Sequence, residues 1–436
     1  MSDYTAGQAR KTPREPEYTG RQLILCRDND ANVTRTLRDA AGLTLATSSD
    51  FNNGAVSMSR LGGADGVYLE RIGVVVTSSA QEQTTRATAT SGVVAVEPER
   101  VVYAIGAVPP RGPVDLALPP RRTPPGMAAI GVDEMVCGLT PLDLVRALAD
   151  IDETVRTWGL MVTRVVESRF TGRGVRIAIL DTGVDLLHPD FANRALVTHS
   201  FIDGQTVQDG NAHGTHTAGT AVGVMRPAVP PRYGVAPDAE VYIGKVLGNS
   251  GSGSDGTVLA GMNWAVENRC RIVSMSVGSA AAPGERYSAV YEAAALRGLD
   301  ANSLMIAAGG NESDRPGVIN PVGRPANCPS VMAVGAVDSD MQIARFSVRS
   351  GEGDGGRIDI VGPGVAVYSS KPLPERYGRF NGTSMATPHV SGVAALHLEA
   401  NLNMSARELW KTLSDTAKRL DLPVEDVGVG MVQAPV

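Results

Sequence analysis

Residues 381–392, Asn-Gly-Thr-Ser-Met-Ala-Thr-Pro-His-Val-Ser-Gly, run directly into Val-Ala-Ala-Leu-His-Leu-Glu-Ala, an amphipathic helical pattern. The pattern predicts a helix starting at Thr383 or Ser384, and Pro388 then falls beyond its first turn. A proline there removes a backbone N–H and tends to kink the helix. A local rule broken without visible compensation marks a functional site. Ser384 is therefore either an N-cap or a nucleophile held on a helix N-terminus. Taken alone, a serine at a helix start is far more often a cap.

Outward from that helix, from about residue 158, short apolar runs alternate with helical patterns. VRIAIL, VYIGKVL, RIVSMSV, LMIAAG and VMAVGAV read as buried strands, separated by segments such as TVLAGMNWAVEN and AVYEAAALRG. Continuous apolar strands with helices between them predict a doubly wound, mostly parallel sheet covered on both faces. Upstream the texture differs. Residues 1–20 are polar and read as a disordered tail. Residues 21–106 alternate short strands (RQLILCR, VYLERIGVVVT as one or two, VVAVEPERVVYAI as a pair or one broken strand) with helices over NVTRTLRDAAGLTL and EQTTRATATSG, a small α+β domain. Residues 107–150 combine a proline-rich linker with a helix that opens at Thr140-Pro141 and repeats apolar residues at Val145, Leu148, Ile151 and Val155. The last unit is 151–436.

Composition narrows the function classes. Among 436 residues the formal net charge is −6, without the basic stripe of a nucleic-acid binder. No apolar run approaches the roughly 18 residues that span a bilayer. The N-terminal residues lack the apolar core of a secretory signal, which predicts a cytoplasmic location. Cys26, Cys137, Cys270 and Cys328 have no metal-type spacing and read as buried thiols.

Sites in open α/β sheets form beyond the carboxyl ends of the strands. VRIAIL leads into Asp181-Thr-Gly, RIVSM into Ser276-Val-Gly-Ser, and LMIAAGG into Asn311. Between the first two lies NAHGTHTAGT, with His213 and His216. An acid, a histidine and a serine supply the parts of a nucleophilic triad, because a serine hydroxyl is inert until an oriented base takes its proton. Each part alone has a plain alternative: Asp181 as a turn former, His213 and His216 as a metal pair lacking a third ligand, Asn311 as a strand terminator.

Together, DTGVDLLHPDF, HGTHTAGT and NGTSMATPHVSGVAAL resemble the three signature blocks of the subtilisin-like serine proteases, in that family's Asp, His, Ser order. The similarity continues through GVAPDAEVYIGKVL, SMSVGS, AAGGNES and RPANCPSVMAVGAVDSD and covers roughly residues 155–436. The resemblance implies Asp181 as the orienting acid, His213 as general base, Ser384 as nucleophile, and Asn311 with the Ser384 N–H as oxyanion donors. His216 becomes a packed neighbour. Ser252, Gly253 and Ser254 with Ser276, Val277 and Gly278 would flank an extended polypeptide substrate as added strands, and Gly310 and Gly323 would line the pocket for the residue before the scissile bond. Asp255, where relatives carry a larger residue, and Glu312 would favour basic or polar substrate side chains.

The chemistry the resemblance implies needs no cofactor. For a structural calcium, Asp190 matches one ligand position, and the loop MRPAVPPRYGVAP does not match the rest. Residues 21–105 are similar to the ferredoxin-like propeptide of secreted relatives, which implies an intramolecular inhibitor and self-cleavage near Ile105 or Gly106. The principal rival is GSGSDG at 251–256, a GxGxxG pattern, but it does not follow the first strand and no acid answers it at the required distance. A non-catalytic binding relative, or a processing protease dedicated to one partner with a retained regulatory front domain, are the other readings.

Overall fold

The computed structural model describes residues 15–27, 32–57, 61–105, 152–351 and 356–436. The predicted linker, nearly all of the helix behind Thr140, Gly106 and most of the N-terminal tail lie outside them. In the front unit the order is β1 (Tyr18–Cys26), α1 (Val33–Ala41), β2 (Leu45–Thr47), β3 (Gly66–Leu69), β4 (Val74–Thr77), α2 (Gln81–Thr88) and β5 (Val93–Ala104). The strands lie side by side as β5-β1-β4-β3-β2. VYLERIGVVVT forms two strands, and VVAVEPERVVYA one strand of 12 residues. The boundary expected at residue 20 is corrected: Tyr18, Thr19 and Gly20 belong to β1, because Thr19 donates its hydroxyl to Glu99 and Tyr18 pairs with Arg100. Pro98 falls beside the register shift between Tyr18 and Gln22, where a missing ladder N–H is tolerated.

One face of this sheet packs Ile24, Tyr68 and Val75 under α1 and α2 with Leu37 and Ala87. The opposite face, with Leu23, Leu25, Val67, Leu69, Val74 and Val76, joins the core of the larger unit.

That unit contains α3 (Trp158–Val162), β6 (Arg176–Asp181), β7 (Leu196–Ser200), α4 (His213–Val222), β8 (Glu240–Lys245), β9 (Ser252–Ser254), α5 (Asp255–Glu267), β10 (Ile272–Met275), β11 (Val277–Gly278), α6 (Ala289–Asp300), β12 (Leu304–Ala308), β13 (Met332–Val337), β14 (Ile360–Pro363), β15 (Val367–Ser370), β16 (Tyr377–Phe380), α7 (Thr383–Ala400), α8 (Ala406–Thr416) and α9 (Val424–Val427). Seven strands form one parallel sheet in the order β14-β13-β12-β10-β6-β8-β7. Every residue of β10, β12 and β13 is buried, which is why they read as unbroken apolar runs. The helix pairs α4–α7 and α5–α6 pack together beside the sheet. From central β6 the chain turns one way to β7 and β8 and later the other way to β10, so the order reverses at β6 and opens a crevice at its carboxyl end.

The front unit reaches this crevice through β5. Val101, Val102 and Tyr103 pair with Ser254, Gly253 and Ser252, while Tyr103 and Ala104 pair with Gly278 and Val277. β5 thus lies between β9 and β11, antiparallel to both. Among the described residues no helix is long and apolar enough to cross a membrane.

Candidate active site

Asp181 is the last residue of β6, and its Oδ1 lies 2.7 Å from His213 Nδ1. Both side chains are buried. Two further donors hold the carboxylate: the Thr182 N–H at 2.7 Å to Oδ1 and the Thr217 hydroxyl at 3.0 Å to Oδ2. Thr217 stands one turn after His213 on α4, so one helix supplies both the imidazole and an anchor for its carboxylate partner.

The start of α4 is held by Asp209, whose carboxylate accepts the N–H groups of Asn211, Ala212 and Thr215 and the Thr215 hydroxyl. Ala212 sits at φ 89°, a conformation that side-chain-bearing residues rarely adopt. It presents His213 as the first helical residue. Burial pushes the His213 imidazole pKa down, but the charge and hydrogen bond of Asp181, with smaller help from Asp209 and the Ile105 carbonyl, outweigh it, and the net shift is upward. His216 is a packed neighbour. Its ring stacks on Phe380 at 4.6 Å, its Nε2 meets the Val367 and Gly378 carbonyls, and burial with the nearby His213 charge takes it down to about 3.

Ser384 lies in the first turn of α7, fully buried, with Gly382 at φ 156° as the residue before the helix. Its hydroxyl donates to the Ile105 carbonyl at 2.7 Å. Asn311 Nδ2 donates to the same oxygen at 3.2 Å. The Asn311 amide is itself oriented, because its Oδ1 accepts the Thr383 N–H and the Thr383 hydroxyl, each at 2.9 Å. The carbonyl of Ile105, the first residue past β5, is therefore placed between Ser384 and Asn311, with Asp181 and His213 in the same crevice.

The irregular proline also finds its compensation. An amide at position 388 would donate to the Ser384 carbonyl four residues back, and Pro388 has none. The Ser276 hydroxyl donates to that carbonyl instead, at 2.8 Å. Sequence reading placed Ser276 as a backbone contact and missed this side-chain role. It likewise missed Thr217 and Thr383; their spacing beside His213 and Ser384 is the signal that was there.

Ser252, Gly253 and Ser254 as β9, and Val277 and Gly278 as β11, flank β5, and the Ile105 N–H donates to the Ser276 carbonyl at 3.2 Å. A Cβ on Gly278 would come 2.3 Å from the Arg324 carbonyl oxygen and 3.2 Å from Ile105 Cδ1, so it is first the close approach of the Arg324 backbone that requires a glycine here. Gly310 (φ 134°) would put a Cβ 2.4 Å from Glu312 Oε2, and Gly323 would put one 2.7 Å from the Ser279 carbonyl. Asp255 departs from expectation. It does not present a free charge to substrate side chains: it is fully buried, and its Oδ2 meets Arg324 Nη2 at 3.0 Å.

Asp190 does not fit a calcium site. Its Oδ1 accepts the Ala228 N–H at 2.8 Å, and its Oδ2 accepts the hydroxyls of Tyr233 and Tyr377 at 2.6 and 3.0 Å. A cation needs oxygen acceptors there, and this carboxylate is ringed by donors. Among the described residues no group of three or more His, Cys, Asp or Glu side chains is placed to hold a metal ion.

A profile of the subtilase family matches residues 172–432. The chain belongs to the subtilase family. It is 40% identical over 310 residues to alkaline elastase YaB of Bacillus sp. (strain YaB), covering 67% of this chain and 75% of that protein. It is 38% identical over 259 residues to subtilisin E of Bacillus subtilis (strain 168), covering 58% of this chain and 62% of that protein. With subtilisin DY of Bacillus licheniformis the identity is 38% over 264 residues, covering 59% of this chain and 88% of that protein. This subtilase is accordingly a serine endopeptidase, and the doubly wound sheet expected from its alternating apolar runs is the family's fold.

Proposed function

We propose that Asp181, His213, Ser384 and Asn311 carry peptide hydrolysis and that the bond after Ile105 is the first one cut. The observation that supports this is the Ile105 carbonyl, within hydrogen-bond reach of both Ser384 Oγ and Asn311 Nδ2. Ser384 Oγ attacks the Ile105 carbonyl carbon while His213 Nε2 takes the hydroxyl proton. Asp181 stabilises the imidazolium and keeps Nδ1 as its donor. The oxygen that gains charge is met by the Asn311 amide and by the Ser384 N–H at the positive end of α7. His213 then gives its proton to the Gly106 nitrogen, which leaves. Water, activated by the same imidazole, hydrolyses the Ile105–Ser384 ester. The Ser384 hydroxyl, turned here toward the Ile105 oxygen, rotates to His213 before attack.

After the cut, Ile105 ends β5 as a product held between β9 and β11, so the front unit acts as an inhibitor. A second reading, a processing protease that keeps its front unit as a regulator, is favoured by the apolar sheet face that unit shares with the peptidase core. Intact mass of the purified chain beside its Ser384→Ala variant tests the first reading. A wild type split after Ile105 and a whole variant are expected. A wild type that stays whole yet reacts at Ser384 with a fluorophosphonate overturns self-cleavage and leaves the retained regulator.

A further inference from the structure

Resting on the reading of β5 as a bound substrate strand, we propose that the cleft carries a subsite for the sixth residue upstream of the cut bond, built by Asp255 and Glu285 and selective for a basic residue. Counting Ile105 as the first, the sixth residue is Arg100. The structure grips it twice. Its backbone N–H donates to Asp255 Oδ2 at 2.9 Å. Its guanidinium meets Glu285 Oε1 at 2.6 Å, with the two side chains only 14% and 24% exposed. Neither contact belongs to the β5–β9 ladder, which ends at the pairing of Val101 with Ser254; on its other side Arg100 pairs with Tyr18 of β1 and lies 6.0 Å over that ring.

The two acids have separate tasks. Asp255 opens α5 and is fixed from below by Arg324 Nη2 at 3.0 Å; Arg324 in turn lies over the Tyr291 ring at 5.1 Å and reaches Glu97 Oε2 at 3.4 Å. Arg324 and Tyr291 are both buried, so the carboxylate cannot swing to follow a side chain. Its charge is already matched, and what it offers a passing strand is one fixed acceptor for a backbone N–H. Proline and N-alkylated residues lack that donor. Glu285 supplies the side-chain selection. It sits in the turn before α6, closed on itself by Ala282 N–H to Glu285 Oε2 at 2.9 Å and Glu285 N–H to the Ala282 carbonyl at 3.0 Å. A carboxylate held by its own turn meets the Arg100 side chain with less to lose in side-chain freedom than a loose surface acid. The preference for basic residues expected from Asp255 and Glu312 thereby moves to Glu285, and to a position well upstream of the cut.

The test is a set of peptides cut by the processed wild-type enzyme. One series has five residues before the cut, another six with arginine first, a third six with glutamate first. A fourth carries arginine joined through an ester oxygen inside a longer peptide, so that the N–H reaching Asp255 is replaced. Extending from five residues to six with arginine should raise kcat/KM about tenfold, mainly through KM, as one charge-assisted hydrogen bond and one partly shielded ion pair allow. The ester should return most of that gain at any ionic strength. Arginine should outrun glutamate about fivefold at low salt and less at high salt. Glu285→Gln should erase the arginine preference and keep the ester discrimination, while the double change Asp255→Ala with Arg324→Met, which removes the buried acid together with its buried cation, should erase the ester discrimination. Equal rates for five and six residues, or for arginine and glutamate, overturn the subsite. Fluorophosphonate labelling of Ser384 in the same preparation separates the two levels: labelled enzyme indifferent to the sixth residue removes the subsite alone, and unlabelled enzyme removes the proposed function beneath it.

Discussion

His213 is pulled two ways, by burial that disfavours its charge and by Asp181 that favours it, and Asp181 prevails. A general base works only when neutral, so raising its pKa moves the onset of activity to higher pH. The ascending limb of kcat/KM is expected above the ordinary imidazole value of about 6.5. Asp181→Asn removes the raising charge: the limb should move to lower pH while turnover falls on the order of 10⁴-fold, the size of loss seen when a triad acid is neutralised. A rate flat from pH about 5 to 9 would exclude His213 as base. Asn311→Ala should lower turnover on the order of 10² to 10³-fold with little change in KM, the magnitude measured for such a donor in subtilisin itself. A dominant change in KM would place Asn311 in ground-state binding. At this scale, the placement of residues carried by short sequence blocks was legible: Asp181, His213, Asn311 and Ser384 all stand at the crevice. Asp255 and Asp190 were not, because a carboxylate's role depends on its partners, and Arg324, Tyr233 and Tyr377 come from distant parts of the chain.

Helix α7 shows how an element absorbs a local fault. Its 18 residues continue through Pro388 because the carbonyl that proline strands is satisfied from β10's exit by Ser276. Ser276→Ala leaves that buried carbonyl unpaired and should cost about 1–3 kcal/mol of stability, measured by urea unfolding in a Ser384→Ala background to prevent self-digestion. Pro388→Ala restores an N–H at position 388, so the cost of Ser276→Ala should shrink in its presence; equal costs in both backgrounds would sever the proposed link. Periodicity correctly predicted the helix start and the proline fault, yet the remedy was invisible in sequence because it crosses more than a hundred residues. The same limit applies to β1, whose first three residues look like a polar tail until Glu99 and Arg100 on β5 are set beside them.

At the scale of the molecule, two units share one apolar core and a row of charged contacts, all arranged around the insertion of β5. Glu97 accepts from the Ser288 hydroxyl at 2.6 Å and from the Ala289 and Val290 N–H groups at 2.7 and 3.3 Å, capping α6 from the other unit. Glu99 accepts the Gly256 N–H at 2.9 Å near the start of α5 and pairs with Arg21. A negative charge at a helix N-terminus is worth about 0.3–1 kcal/mol when exposed and up to ~2 when partly buried. On the proposed self-cleavage, these caps would act only while the front unit is docked, and so would set how long it stays. Glu97→Gln should therefore weaken the hold of the cleaved front unit about tenfold, read as peptidase activity that emerges at correspondingly higher enzyme concentration on dilution. Glu82→Gln, an exposed change on α2 away from the peptidase, should leave the dilution curve where it was. If both variants behave like the wild type, the apolar face of the front sheet alone sets the dissociation, and the caps serve only to align β5 during the cut.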